Sequence, residues 1–201
     1  KVPRSSLGSL SEASRVFDSD LLIGLIGELA DQLQPLDHDG RLDDVRGILT
    51  LIDGTTLSVL PRLTEAMWGE SSGKGLKLHT HFELLKGVPT RMDVTDAGAG
   101  ERAQLDQTLL ADRVYVMDRG YASFDLFQAI EDAESSFVCR LRDNSVYEVV
   151  EERPLGAEAQ HADVLSDQRV SMNQGRTTLR LLRIKCTPHR KRYKIGRGGP
   201  E

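Results

Sequence analysis

The 201-residue chain is poor in cysteine, tryptophan and aromatic side chains, with two Cys, one Trp and 5% Phe, Trp and Tyr together. Cys139 and Cys186 cannot build a disulfide framework. That excludes the small stapled folds of oxidising compartments and points to a reducing cytosol. No run approaches the roughly 18 consecutive apolar residues of a membrane-spanning helix. The most apolar early run, Leu21-Leu22-Ile23-Gly24-Leu25-Ile26, stops at Gly27-Glu28. There is no internal repeat, no low-complexity tract and no recognisable signal peptide. The chain starts at Lys1 and ends in a turn-rich Gly196-Arg197-Gly198-Gly199-Pro200-Glu201 stretch, so the expectation is a fragment cut at both ends.

What is present is a globular balance, 39% hydrophobic and 28% charged. That suits one moderately large domain, or a compact domain with an appendage. The formal net charge of −5 hides a split. Residues 176–201 carry nine basic residues against Glu201, a net of +8, which leaves 17 basic and 30 acidic residues, a net of −13, in residues 1–175. The acidic average therefore does not exclude nucleic acid as a partner.

Hydrophobic patterning predicts a short helix from Ser11 to Phe17. A second follows Asp18 or Ser19, with Leu21, Leu22, Leu25, Ile26 and Leu29 on one apolar stripe. Gln34 to Gly40 reads as a linker. Ile48-Leu49-Thr50-Leu51-Ile52 predicts a strand meeting Asp53-Gly54, with Thr55 to Leu60 extending it or returning as a hairpin partner. From Leu76 to Lys86 the pattern alternates, with Leu76, Leu78, Thr80, Phe82 and Leu84 on one face and Lys77, His79, His81 and Glu83 on the other. Val88–Val94, Val114–Met117 and Phe137–Leu141 read as further strands, and residues 101–111 and a segment capped by Ser123 as helices. Beyond Leu141 only short strands are expected, at Val146–Val150, Gln168–Met172 and Leu179–Ile184, with no helix required. The βαβ order implies a sheet with parallel members and right-handed crossovers. The expected division is a helical segment and linker over 1–40, a core over 41–142, and a β-rich insertion with a basic tail over 143–201.

Two apolar strands run into an aspartate and a turn signal, Ile52-Asp53-Gly54 and Met117-Asp118-Arg119-Gly120. At the carboxyl ends of neighbouring strands such side chains converge where α/β sheets bind ligands. Two close carboxylates repel, so either one is protonated or a cation lies between them. Hard oxygen donors with room for water suit magnesium or manganese. Alone, each aspartate is equally an ordinary turn residue.

The ordered series Leu51-Ile52-Asp53-Gly54-Thr55, Lys77-Leu78-His79, Gly87-Val88-Pro89, Thr95-Asp96, Asp118-Arg119-Gly120-Tyr121 and Phe137-Val138-Cys139-Arg140-Leu141 resembles the catalytic domain of the DDE transposases of bacterial insertion sequences. It is most similar to the group with a β-strand insertion between the second and third acids. The resemblance runs from about Leu42 to Ile184. It implies an α/β, RNase H-like mixed sheet flanked by helices, with the insertion near the C-terminal end. It implies that Asp53 and Asp118 are the first and second metal-binding catalytic acids, with Gly54, Thr55, Arg119, Gly120 and Tyr121 as neighbours. It also implies Mg2+ or Mn2+ as cofactor, transposon-end and target DNA as partners, and a homodimeric synaptic complex. The third acid of this group is a glutamate in a Tyr-Arg-Glu-type helix. No such signature occurs here, and Glu201 is not in that context. The expected two-metal site is complete only with that glutamate, and the chain alone is expected to be inactive.

Alternatives are a non-catalytic nucleic-acid-binding remnant, or a metal-dependent nuclease of the same fold that takes its third ligand from Glu83 or Asp96. For DNA contacts the candidates are Lys77 and His79 on the polar strand face and Arg180, Arg183, Arg190, Lys191 and Arg192 in the basic tail. Arg180 and Arg183 fall on opposite faces of a regular strand, and Tyr193 is the only aromatic interleaved with the tail, so base stacking has little support. His79 and His81 share a strand face, but no Cys or further His pair stands at a zinc-site spacing. Trp68 reads as a packing residue and Gly73-Lys74-Gly75 as a loop without P-loop spacing.

Overall fold

The computed structural model describes Ser6, Gly8 and residues 21–36, 40, 42–58, 75–142, 144–172 and 175–186. The expected helix from Ser11 to Phe17, Trp68, the Gly73-Lys74 loop and Arg190, Lys191, Arg192 and Tyr193 lie outside these residues. None of the described helices is long and apolar enough to cross a membrane. The chain divides into two compact units, Lys1–Arg142 and Asp143–Glu201.

In the first unit β1 (Ile48–Ser58), β2 (Gly75–Glu83), β3 (Val88–Asp96), β4 (Arg113–Met117) and β5 (Ser136–Cys139) form one sheet in the order β3-β2-β1-β4-β5. β1, β2 and β3 pair antiparallel, whereas β1–β4 and β4–β5 are parallel. An antiparallel meander extended by two parallel strands through helical crossovers is the RNase H-like arrangement. The crossovers are α2 (Glu101–Asp106), between β3 and β4, and α3 (Phe124–Asp132), between β4 and β5. The preceding helix, α1, spans Leu21–Asp31.

Directly opposed residues share a face of the sheet. Thr50, Tyr115 and Phe137 stand in register across β1, β4 and β5. Glu83 opposes Thr50 and His81 opposes Ile52. The helices gather on this face. Phe127 of α3 stacks on Phe137, with ring centroids 4.2 Å apart. Thr108, just after α2, is hydrogen-bonded to His81 Nε2 at 3.1 Å. α1 closes a hollow of about 340 Å³ whose lining includes Ile23, Gly27, Thr50, His81 and Arg113.

This reverses the expected polarity of β2. His79, His81 and Glu83 are buried, while Leu76, Leu78 and Phe82 on the other face are only half-buried. The polar set tolerates burial because it is satisfied. His79 bonds Thr95 Oγ1 at 2.8 Å, and Glu83 pairs with Lys86 at 3.5 Å and Arg113 at 3.7 Å. The leucine stripe of α1 is likewise turned outward. Leu21, Leu22, Leu25 and Leu29 are exposed, while Ala30 is buried and the Gly27 position lies against the Thr90 carbonyl.

The second unit is a three-stranded antiparallel sheet of β6 (Glu148–Arg153), β7 (Val164–Met172) and β8 (Thr177–Ile184), in the order β6-β7-β8. It also carries a short helix, α4 (Ala157–His161), where no helix was expected. Val170, Met172 and Thr177 are its buried residues alongside Asp167 and Gln168. Arg180 grips Asp167 in a two-point pair at 3.0 and 2.7 Å, across the β7–β8 ladder.

Candidate active site

β1 does not end at Asp53-Gly54 but runs on to Ser58. What ends near Asp53 is its parallel ladder with β4, whose last registered pair is Leu51 with Val116. Two residues further along each strand stand Asp53 and Asp118, both exposed. Thr55 Oγ1 donates to Asp53 Oδ2 at 2.9 Å. The Gly120 N–H donates to Asp118 Oδ1 at 2.7 Å, which closes an Asx turn at the end of β4. The backbone of that turn is clamped from outside. Arg102 Nε donates to the Gly120 carbonyl at 3.0 Å, Arg142 Nε to that of Arg119 at 3.2 Å, and Cys139 Sγ to that of Asp118 at 3.3 Å.

A third carboxylate reaches the same place. Glu101, the first residue of α2, lies against the face of Gly54, where an added Cβ would come 3.0 Å from both Cδ and Oε1. A Cβ at Gly120 would lie 2.8 Å from Asp118 Oδ1 and 3.8 Å from Glu101 Oε2. At both glycines a Cβ would therefore make the neighbouring carboxylate give way, and at neither is the backbone left-handed. Lys77 Nζ holds Glu101 Oε1 at 3.3 Å and donates to the Ala99 carbonyl at 3.1 Å. Tyr121 is 2% exposed and its hydroxyl has no hydrogen-bond partner. Burial pushes the ionisation of that hydroxyl well above its usual value, and the charges of Glu101, Asp53 and Asp118 push it further.

Among the described residues no three His, Cys, Asp or Glu side chains stand close enough to enclose a metal ion. The two aspartates still suit a hard cation. They offer exposed oxygen donors just past the end of the β1–β4 ladder, and the buried, unpartnered Tyr121 hydroxyl is near enough to feel the charge of both.

The sequence pattern described as Transposase DDE domain matches residues 46–197. The chain belongs to that family. One relative, from Sinorhizobium fredii and named "Putative transposase y4zB", is 31% identical over 151 residues, which are 73% of this chain and 40% of the relative. The DDE chain thus spans well under half of that relative's length. Among solved structures, a piggyBac transposase synaptic complex with hairpin DNA aligns over 68% of this chain and 33% of its own, at 10% identity and a TM-score of 0.37.

Within this DDE domain several candidate residues take other positions than expected. His79 is not solvent-facing. It is 4% exposed and hydrogen-bonded to Thr95, so it cannot meet DNA as a surface ligand. Burial, then the Lys77 charge, lowers its pKa. Lys77 is turned to Glu101, with its side chain 13% exposed. Arg180 and Arg183 belong to the second unit, where they bond Asp167 and Tyr147. Neither proposed substitute acid stands level with Asp53, since Glu83 lies short of it and Asp96 beyond it, two strands away and level with Leu57. Glu83 opposes Thr50 and is ion-paired there. Asp96 accepts from the Gly98 N–H at 2.7 Å in the turn after β3. The acid that does reach the two aspartates, Glu101, reads in the sequence only as an acidic helix start. The available signal is Gly54 itself, a glycine inside a strand, which marks close approach by another group.

Proposed function

We propose that this DDE domain is the metal-binding part of an insertion-sequence transposase that cuts transposon-end DNA and joins it to target DNA within a homodimeric synaptic complex. The observation that carries this reading is the placement of Asp53 and Asp118 at one level of adjacent parallel strands, in a chain of the DDE family. Asp53 and Asp118 hold the divalent cation. Thr55 and the Gly120 N–H fix the carboxylates, while Arg102, Arg142 and Cys139 hold the turn that carries the second. When bound, Mg2+ or Mn2+ supplies charge stabilisation for phosphodiester cleavage by water and for strand transfer by a 3′-hydroxyl. The third acid of this group is a glutamate in a Tyr-Arg-Glu-type helix, a signature the 201 residues do not contain, and in this reading they bind DNA without cutting it by themselves.

The test uses a protein in which this domain is followed by such a glutamate-bearing helix. Asp53→Asn or Asp118→Asn abolishes metal-dependent cleavage of transposon ends while end binding persists. Cleavage at the unsubstituted rate by either variant overturns the proposal. Absence of cleavage by the unsubstituted longer protein favours a non-catalytic DNA-binding remnant.

A further inference from the structure

We infer that Glu101 is a third acid of the aspartate site, a positioning residue that accepts hydrogen bonds from the hydration shell of a divalent cation held by Asp53 and Asp118. This rests on the metal reading proposed above. The geometry gives Glu101 two differently engaged oxygens. Oε1 is held by Lys77, itself anchored on the Ala99 carbonyl. Oε2 is turned toward Gly120, where one point lies within 3.8 Å of it and 2.8 Å of Asp118 Oδ1. The placement depends on Gly54, since any side chain there would meet the Glu101 carboxylate. Around the three acids stand Lys77, on Glu101, and Arg102 and Arg142, on the turn that carries Asp118. The buried Tyr121 hydroxyl, which has no hydrogen-bond partner, is close enough to feel all three charges. A magnesium-type cation usually takes only one or two carboxylates, so with Asp53 and Asp118 as ligands Glu101 acts through water rather than by direct ligation. Magnesium-type cations keep several waters, and outer carboxylates that orient those waters tighten binding.

The experiment is calorimetric titration of the 201-residue chain with Mn2+, alongside melting curves in EDTA. Asp53→Asn and Asp118→Asn should abolish Mn2+ uptake. Glu101→Gln should weaken it about tenfold. Gly54→Ala, which keeps every acid but crowds Glu101, should weaken it in the same direction. Should Glu101→Gln fail to fold, Gly54→Ala carries the decision. If Glu101→Gln and Gly54→Ala fold and bind Mn2+ within about twofold of the unsubstituted chain, Glu101 only pairs with Lys77 and the inference is overturned while the aspartate site stands. If the unsubstituted chain takes up no Mn2+, or the aspartate variants bind as it does, the metal reading falls and the Glu101 role with it.

Discussion

Asp53 and Asp118 stand two residues beyond the last registered pair of the β1–β4 ladder, Leu51 and Val116, so two carboxylates share one end of that ladder. Like charges placed together for function destabilise the fold that holds them. Asp53→Asn or Asp118→Asn keeps the oxygen that accepts from Thr55 or Gly120 while removing one charge. In EDTA, either variant should be more stable than the unsubstituted chain by about 1 kcal/mol, or roughly 3 °C in Tm. Millimolar Mg2+ should erase or invert that gain, and equal melting temperatures in EDTA would show that the charges do not oppose one another.

Gly75 opens β2 against the end of β1, and a Cβ there would lie 2.7 Å from the Leu57 carbonyl oxygen. The obstacle is backbone, so no rotamer change relieves it. Gly75→Ala should cost about 2 kcal/mol, the range of overpacked interiors. Gly156, with nothing within 4 Å of its added Cβ, is the control, and Gly156→Ala should stay within about 0.5 kcal/mol. Urea unfolding of both variants checks the contrast.

His81 is buried beneath the helices, 3.1 Å from Thr108 Oγ1 and edge-on to Tyr115. Burial first, and then the Arg91 charge, lowers its pKa to about 4 from the ordinary 6.5. The unfolded chain therefore binds a proton that the folded chain refuses between those values. The stabilisation is complete above pH 6.5 and is lost as pH falls toward 4, with a ceiling of about 3 kcal/mol. His79, whose pKa is also lowered, adds in the same direction. Unfolding free energies at pH 7.5 and 4.5 should converge in His81→Gln relative to the unsubstituted chain, and an identical pH slope in the variant would refute the assignment.

The elements themselves are legible because their signals are local. The apolar runs ending at Asp53 and Asp118, and the helical periods between strands, yield the meander and both parallel crossovers. Which face of a strand is buried is not local. The alternation in β2 separates Leu76, Leu78 and Phe82 from His79, His81 and Glu83 correctly, but the buried side is decided by where the crossover helices lie, and they lie over the histidines. The partners that make this tolerable, Thr95, Thr108 and Arg113, are far away in sequence. Glu101 is illegible for the same reason, since its seat exists only once α2 is laid beside Gly54. Arg180 reads as a free cation until β7 brings Asp167 across from it.

That pairing sorts the basic residues into two kinds. Arg180 is already neutralised by Asp167, whose own pKa it lowers through the hydrogen-bonded pair, whereas Arg190, Lys191 and Arg192 form an unbroken basic run in the sequence. If the chain binds DNA through its phosphates, replacing those three with Ala should weaken binding and shrink the salt slope by about 0.9 for each phosphate no longer neutralised. Arg180→Gln should leave the slope unchanged. Fluorescence anisotropy with a duplex across a series of salt concentrations measures both. An unchanged slope in the triple variant would place the DNA-binding cations elsewhere.

The two cysteines should differ sharply in reactivity. Cys139 sits at the end of β5, with its thiol donating to the Asp118 carbonyl at 3.3 Å. Burial, reinforced by the Asp118 charge, pushes its pKa up to about 11. At pH 8 only about one Cys139 in a thousand is then a thiolate, the form that attacks an alkylating agent. Cys186 is exposed after β8. Brief treatment with iodoacetamide at pH 8 should therefore label Cys186 and spare Cys139, and prior unfolding in urea should make the two equal, as peptide mass spectrometry would show. Because Cys139 holds the turn of Asp118, Cys139→Ser, which retains a donor, should preserve Mn2+ uptake better than Cys139→Val, which removes it. Equal uptake by the two variants would mean that the thiol fills space without positioning the second aspartate.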